Sequence, residues 1–187
     1  MRSGRVIFLN GTSSAGKTSL ARAIQDESDT PFVYWGIDTL FGMVPANWGG
    51  GRDGPLSREG FWYDRTSQDD GVVIVRYGPV GERMLRSGAT AAAEFARRGD
   101  DLVIDEMLLS QDLMPMWREA LAGLAVLWVR VECPLAVAEQ REVGRRNPRG
   151  LARGHFSSVH DHGMTYDRTV DTTTATPAEL AKSVLLD

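Results

Sequence analysis

One segment near residue 11 combines residue types and a spacing that suit phosphate binding. The segment Gly11-Thr12-Ser13-Ser14-Ala15-Gly16-Lys17-Thr18 matches the pattern G-x-x-x-x-G-K-[ST]. Its glycines let the backbone curl so that N–H groups point inward, while Lys17 can reach the outer phosphates and the Thr18 hydroxyl can bind Mg²⁺. An apolar run precedes the segment and a helical run follows it, as the motif requires. We predict a nucleoside triphosphate site formed by Gly11, Thr12, Ser13, Ser14, Ala15, Gly16, Lys17, Thr18 and Ser19.

A carboxylate at the end of a second apolar run completes the predicted metal site. Asp105 follows Leu102-Val103-Ile104 directly, and a phosphate-binding loop of this kind needs a carboxylate to hold the hydrated metal ion. We therefore predict Mg²⁺ at Thr18 and Asp105. The alternative is that Asp105 caps the turn after its strand. Glu106 stays open, because in ATP-hydrolysing motor proteins a glutamate at this position polarises water, whereas in a kinase it can be structural.

A kinase differs from a hydrolase in having a group that accepts a proton from a bound hydroxyl. Asp38 is the candidate, because it follows the apolar run 32–37 and a parallel sheet places the end of that strand beside the phosphate loop and Asp105. The competing interpretation is that Asp38 caps a helix that begins near Thr39. We predict that Asp38 is the catalytic base.

A cluster of arginines follows the fourth predicted strand and is able to neutralise charge on a transferring phosphoryl group. Its members are Arg141, Arg145, Arg146 and Arg149. A helix over 135–145 would place Arg141 and Arg145 on one face, about 6 Å apart along its axis. Because Gly144 and Asn147-Pro148 interrupt the cluster, the segment suits a mobile lid. The alternative is a solvated charged face. We predict Lys17, Asp38, Arg141 and Arg145 as the catalytic residues.

The elements that must position these residues alternate between short apolar runs and longer helical patterns. This alternation predicts an α/β fold with a parallel sheet flanked by helices. With the phosphate loop and the arginine lid, the expected fold is of the P-loop NTPase type and like that of nucleoside monophosphate kinases. Thr176, Pro177 and Glu179 form the start signal of the last helix, with a capping box. The predicted strands are 5–9, 32–37, 102–104, 126–131 and 169–170; the predicted helices are 17–25, 80–98, 110–122, 135–145 and 178–185.

One long segment breaks this alternation. Residues 42–79 are rich in glycine, charge and aromatic side chains, with a short strand predicted at 72–75. Long loops of this composition inside compact domains are usually binding loops. We predict a single domain over residues 1–187 that carries a substrate-binding insertion at about 42–79 and a lid at about 141–155. Trp48, Trp62 or their neighbours in the insertion are expected to contact the acceptor.

Composition narrows the functional class. The 187 residues are 42% hydrophobic and carry a net charge of −4, which suits one globular domain and disfavours nucleic acid as a partner. The lone cysteine, Cys133, excludes an intramolecular disulfide and indicates a reducing compartment. No apolar stretch has the roughly 18 to 20 residues that span a bilayer. We expect a cytoplasmic protein with no membrane partner.

With these residues identified, the sequence resembles the chloramphenicol phosphotransferase family. The resemblance runs along most of the chain, and its segments are 7–18, 35–38, 103–106, 126–129, 133–139, 166–167 and 170–173. It implies ATP-dependent phosphorylation of a hydroxyl group on a small, antibiotic-like molecule in the cytosol, with Asp38 at the position of the general base and Arg141 and Arg145 in the lid. Two departures are Glu106, where an aspartate is expected, and the insertion 47–79.

The predicted function is therefore transfer of the γ-phosphoryl group of ATP to an alcohol, with chloramphenicol or a related antibiotic as the expected substrate and resistance by modification as the role. A kinase of another metabolite or of a nucleoside is one alternative. A P-loop ATPase that uses Glu106 to activate water is a second, and an end kinase of nucleic acids is a third.

Overall fold

Buried apolar strands form the centre of the structure. The computed structural model describes residues 2–65, 71–145 and 147–186. Its strands are β1 (Arg5–Asn10), β2 (Phe32–Gly36), β3 (Phe61–Asp64), β4 (Ile74–Tyr77), β5 (Asp101–Glu106), β6 (Ala125–Glu132) and β7 (Arg168–Asp171). Its α-helices are α1 (Lys17–Glu27), α2 (Ile37–Met43), α3 (Pro79–Arg98), α4 (Leu113–Ala120), α5 (Leu135–Glu142), α6 (Leu151–Phe156) and α7 (Pro177–Leu185).

The main sheet has the strand order β2-β5-β1-β6-β7, and each neighbouring pair is parallel. Strand β1 is buried from Val6 to Asn10, which explains its continuous apolar run. In the register of β1, β5 and β2, Leu9 pairs with Asp105 and Gly36 pairs with Asp105 on its other side. The α/β prediction with a parallel sheet and flanking helices is confirmed.

Helices cover both faces of this sheet. On one face Phe8 packs against Trp117 of α4, with 5.3 Å between ring centroids, and against Trp128, at 4.8 Å. On the other face Leu20 of α1 and Val184 of α7 are buried in a second cluster. These two clusters bury the apolar surface on which the fold depends. No helix among the described residues is long and apolar enough to span a membrane.

Part of the segment 42–79 folds into regular structure. The 3₁₀ turn Ala46–Trp48 follows α2, and β3 pairs with β4 as an antiparallel hairpin. The strand predicted at 72–75 lies at Ile74–Tyr77 instead, β3 was not predicted, and a helix at the position of α2 appeared only in the competing interpretation of Asp38. Residues 66–70 of the predicted insertion, and the terminal residues Met1 and Asp187 of the predicted domain, lie outside the described residues.

The helix predicted over 135–145 is shorter in the structure. Helix α5 ends at Glu142, because Val143 is extended and Gly144 adopts a left-handed φ of 87°. The prediction that one helix face carries both Arg141 and Arg145 is therefore wrong. The chain begins a separate helix, α6, at Leu151, which the sequence did not predict. Arg146 of the predicted cluster lies outside the described residues.

Helix α7 begins with the predicted capping box. The Thr176 side chain accepts a hydrogen bond from the Glu179 backbone N–H at 3.3 Å, and the Glu179 carboxylate accepts one from the Thr176 backbone N–H at 2.9 Å. This cap orients a helix whose buried face packs along α1, directly behind the phosphate loop.

Thr176→Ala removes the side-chain acceptor at this cap, and loss of such a cap costs about 1 kcal/mol of stability. We expect the free energy of unfolding, measured in urea, to fall by that amount. Thr90→Ala is the control, because the Thr90 hydroxyl is exposed and bonds only within its own helix. An equal loss in both variants would show that the cap contributes nothing specific.

Candidate active site

The loop between β1 and α1 has the geometry of a phosphate cradle. Ser14 has a φ of 61° and Gly16 a φ of 98°, both left-handed, and Gly16 forms the N-cap of α1. Successive backbone N–H groups and the positive end of a helix thereby face one space. Within the described residues the Ser14 hydroxyl is buried and has no hydrogen-bond partner. A phosphate oxygen would satisfy it.

Lys17 lies in this cradle and is buried, with 8% of its surface exposed. Its Nζ donates to the Thr12 carbonyl oxygen at 2.9 Å and lies 3.8 Å from Asp105 Oδ1. Burial lowers the pKa of Lys17, although the charges of Asp105, Asp38 and Glu106 oppose that change. The Lys17 ammonium thus lies near Asp105, within the field of Asp38 and Glu106, and stays hydrogen-bonded to the backbone of the cradle.

Thr18 and Asp105 form the oxygen pair that the sequence predicted for a metal ion. The Thr18 hydroxyl donates to Asp105 Oδ2 at 2.6 Å. Tyr34, which sequence reasoning missed, donates from its hydroxyl to the same oxygen at 3.0 Å. Burial, followed by the charge of Asp105, raises the pKa of Tyr34, so its hydroxyl stays protonated and remains a donor. This contact could have been predicted only by placing β2 beside β5 in the sheet, which brings Tyr34 and Asp105 onto neighbouring strands.

Asp38 lies in the first turn of α2, but it is not the helix cap. Gly36 occupies the N-cap position and provides no side-chain hydrogen bond, so the capping interpretation of Asp38 is wrong. Among the described residues the Asp38 carboxylate forms no hydrogen bond or ion pair. Burial, and then the charge of Asp105, raises the pKa of Asp38, while Lys17 and Arg145 lower it.

The cradle, Asp38 and Arg145 open onto one cleft of about 290 Å³. Its remaining walls come from α2, from the segment 50–52, from the hairpin and from the start of α6. The lining residues are Ser13, Ser14, Gly16, Lys17, Thr18, Ser19, Tyr34, Ile37, Asp38, Phe41, Gly42, Gly50, Gly51, Arg52, Tyr63, Val75, Asp105, Met107, Arg145, Asn147 and Leu151.

The aromatic residues that line this cleft are not the tryptophans named from the sequence. Neither Trp48 nor Trp62 contributes to the lining, whereas Tyr63 does. Successive side chains of a strand point to opposite faces, so Tyr63 faces the cleft and Trp62 faces away from it. The guanidinium of Arg58 lies 4.8 Å from the centre of the Trp62 ring on that other side.

Arg141 and Arg145 are placed differently with respect to this cleft. Arg145 lines the cleft that contains Lys17 and Asp38, whereas Arg141 does not. Arg141 instead donates to the Thr172 hydroxyl at 2.8 Å and to the Thr172 carbonyl at 3.1 Å. Both arginines line a neighbouring pocket of about 350 Å³, together with Gly16, Thr172 and Pro177.

Glu106 is buried, with 3% of its surface exposed, and it does not line the cleft. Burial, followed by the charge of Asp105, raises the pKa of Glu106 well above its usual range. Its burial outside the cleft does not favour the alternative in which Glu106 activates water there.

Comparison with known proteins gives this arrangement its context. The chain matches the family described as "Chloramphenicol phosphotransferase-like protein" over residues 4–186. It belongs to that family. The predicted resemblance is confirmed, and so is the prediction of a phosphotransferase that acts on an alcohol group of a small molecule.

The family assignment agrees with a curated relative and with solved structures. "Putative O-phosphotransferase Rv2636" of Mycobacterium tuberculosis (strain ATCC 25618 / H37Rv) is 30% identical over 189 residues, which cover 98% of this chain and 82% of the relative. An unliganded sugar kinase from Janibacter sp. HTCC2649 has a TM-score of 0.65 at 18% identity, covering 97% of this chain and 92% of that one.

The Mycobacterium tuberculosis APS kinase CysC, solved with AMPPNP and APS, has a TM-score of 0.64 at 18% identity. That match covers 99% of this chain and 97% of the other. At such identities the structural similarity establishes a shared P-loop kinase fold. The acceptor of this chloramphenicol phosphotransferase-like protein has to be argued from its own residues.

Gly16→Ala tests the cradle. A Cβ at residue 16 would lie 3.1 Å from the Thr172 side chain and would occupy a left-handed φ, which costs roughly 1 to 2 kcal/mol for a residue with a Cβ. We expect a loss of stability together with weaker ATP binding by calorimetry.

Gly123→Ala is the matched control, because Gly123 has a φ of 79° with nothing within 4 Å of its added Cβ. This variant should lose stability while it keeps ATP affinity. If both variants bound ATP equally well, the cradle would not be the nucleotide site.

Proposed function

We propose that the protein transfers the γ-phosphoryl group of ATP to a hydroxyl group of a small molecule, with Asp38 as the base. The observation that carries this proposal is the convergence of Lys17, Asp38 and Arg145 on one cleft beside the phosphate cradle. Family membership establishes the reaction class, and the geometry supports a role for each side chain.

The nucleotide is assigned to the cradle and to the pocket beside it. Residues Gly11 to Ser19 would hold the phosphates, as their backbone N–H groups and Lys17 face the same space. The neighbouring pocket lined by Arg141, Thr172 and Pro177 lies directly across Gly16 and has room for the nucleoside. Arg141 would then act on the nucleotide side of the site, while Arg145 faces the transferring group.

The residues at the cradle fit Mg²⁺. Thr18 supplies a hydroxyl oxygen and Asp105 a carboxylate oxygen, which are ligands that this hard cation prefers, and the two lie 2.6 Å apart. When bound there, Mg²⁺ would neutralise charge on the phosphate oxygens. Tyr34 donates a second hydrogen bond to the same Asp105 oxygen and so helps to fix the carboxylate beside the cradle.

In the transfer step the acceptor oxygen forms a bond to the γ-phosphorus as the bond from that phosphorus to the bridging oxygen breaks. The hydroxyl proton passes to Asp38, and ADP leaves with the bridging oxygen. Lys17 and Arg145 supply positive charge to the transferring group. The free carboxylate of Asp38 and its raised pKa suit proton acceptance near neutral pH.

The acceptor is assigned to the apolar part of the cleft. Apolar and aromatic side chains of Ile37, Phe41, Tyr63, Val75 and Leu151 line it. Such walls suit an alcohol with an apolar or aromatic face. Chloramphenicol or a related antibiotic, modified in the cytoplasm as a resistance reaction, is therefore our proposed substrate. In this proposal the segment 42–79 recognises the acceptor, and the segment 141–155 covers the phosphates.

Mass spectrometry tests the proposal. The protein is incubated with Mg-ATP and hydroxylated antibiotics, nucleosides or sugars, beside an acceptor-free control. Gain of one phosphoryl group on an antibiotic supports the proposal. If only a nucleoside or a sugar is modified, the protein is still a kinase but the proposed substrate is wrong. ADP formation without any acceptor, lost in Glu106→Gln but kept in Asp38→Asn, would establish the hydrolase instead.

Asp38→Asn removes the base with little change in volume. Loss of a general base typically slows a reaction by about 10² to 10⁴-fold, so we expect a fall of that size in kcat with unchanged ATP affinity by calorimetry. Asp53→Asn provides the control, since Asp53 is an exposed residue paired with Arg65 at 3.7 Å. Wild-type turnover in Asp38→Asn would remove this residue from its role.

The pH dependence gives a second test of Asp38. Only the ionised carboxylate accepts a proton, so kcat/KM should fall as pH drops through the raised pKa of Asp38. Because Arg145 lowers that pKa, Arg145→Gln should move the acidic limb to higher pH. The pKa of Glu106 is also raised, by burial and by the charges of Asp105 and Asp38. A limb that did not move would point to Glu106.

A further inference from the structure

A second buried carboxylate lies outside the catalytic cluster. Glu142 is the last residue of α5 and has 3% of its surface exposed. Its Oε2 accepts a hydrogen bond from the Gly150 backbone N–H at 2.7 Å, and its Oε1 accepts one from the Ala152 backbone N–H at 2.8 Å. Its own carbonyl oxygen accepts from the Arg145 backbone N–H at 3.1 Å.

These bonds connect the two ends of the segment between α5 and α6, which carries Arg145 and is called the Arg145 segment below. Glu142 thus contacts both the turn that follows α5 and the first residues of α6. Burial of a carboxylate is unfavourable unless hydrogen bonds replace its water, and here both oxygens have backbone donors at short distance. No ion pair involves Glu142 within the described parts of the chain, so its contacts are with backbone alone.

The start of α6 that Glu142 holds is also fixed to the other walls of the cleft. The Thr12 hydroxyl donates to the Ala152 carbonyl at 2.7 Å, which joins α6 to the phosphate cradle. The Val73 N–H donates to the Gly150 carbonyl at 3.0 Å. The Val75 N–H donates to His155 Nε2 at 2.9 Å, so α6 also meets the acceptor-side hairpin.

The close approach between these backbones leaves little room for adjustment. A Cβ at Gly150 would lie 2.0 Å from the Gly71 carbonyl oxygen, and a Cβ at Gly154 would lie 1.9 Å from the Val73 carbonyl oxygen. Helix α6 is therefore a fixed support against which the Arg145 segment is anchored. Loss of the Glu142 contacts would free that segment from its support and leave α6 docked.

We propose that Glu142 is a positioning residue for phosphoryl transfer, acting through Arg145. Its carboxylate holds the Arg145 segment against α6, and so keeps Arg145 in the lining of the cleft that also contains Lys17 and Asp38. This inference rests on the proposed function, in which Arg145 stabilises charge that develops on the transferring group. Such a group acts in the transition state, so its displacement lowers kcat more than substrate affinity.

A double-mutant cycle tests this role. Glu142→Gln keeps one acceptor oxygen and turns an NH₂ group toward the second backbone N–H. We expect kcat to fall about 10- to 100-fold, as misplacement of a catalytic group does, with ATP affinity unchanged by calorimetry. In an Arg145→Gln background the same substitution should have little further effect, because the group that it positions is already absent.

Glu139→Gln is the matched control. Glu139 lies in the same helix, but its carboxylate is only partly buried and pairs with Arg153 at 2.6 Å. This variant should keep wild-type kcat. Hydrogen exchange of the Gly150 and Ala152 amides should accelerate in Glu142→Gln and stay slow in Glu139→Gln, which confirms that the intended contacts were removed.

Several outcomes would overturn the proposal. Equal losses from Glu142→Gln in the wild-type and Arg145→Gln backgrounds would show a structural role, as would faster exchange with unchanged kcat. If Glu142→Gln fails to fold, Glu142→Asp, which keeps both oxygens on a shorter stem, replaces it in the same cycle. A wild-type protein that phosphorylates no acceptor would refute the proposed function itself, a failure visible before any variant is compared.

Discussion

The structure depends on one buried lysine among carboxylates. The ammonium of Lys17 sits between the Thr12 carbonyl and Asp105, and the charges of Asp38 and Glu106 act on it as well. Burial would be costly for each charge alone. Brought together, the opposite charges stabilise one another. In the resulting cleft the pKa of Lys17 is lowered and the pKa of Asp38 is raised. Proton acceptance and charge neutralisation then become available in one small volume.

The parallel sheet makes this arrangement possible. Strands β1, β5 and β2 are neighbours, and the ends of parallel strands open at the same edge. The phosphate cradle follows β1, Asp105 lies at the end of β5, and Asp38 follows β2. The strand order places the ends of these strands side by side, so the residues at those ends line one cleft. Tyr34 of β2 adds a hydrogen bond to Asp105 of β5.

The acceptor side is built differently. Its walls belong to α2, the hairpin β3-β4 and the start of α6. The hairpin side meets α6 outside the main sheet, where the Val73 N–H donates to the Gly150 carbonyl and the Val75 N–H donates to His155 Nε2. The sugar kinase and the APS kinase named above share the fold of this chain at 18% identity. A shared fold does not fix the acceptor, which has to be argued from the residues of the cleft.

By itself the sequence determined the phosphate loop, the α/β class, most strand and helix positions and the capping box of α7, since each depends on local spacing or on a continuous apolar run. Only the tertiary structure decided which side chains meet. Tyr34 and Asp105 are 71 positions apart, and Glu142 reaches Gly150 across a break in the helix that the arginine spacing did not predict. That break separates Arg141, which is in α5, from Arg145, which lies beyond it. Alternation along β3 turns Tyr63, and not Trp62, toward the cleft. Such outcomes follow from backbone turns and packing between distant segments, which no local pattern of residues records.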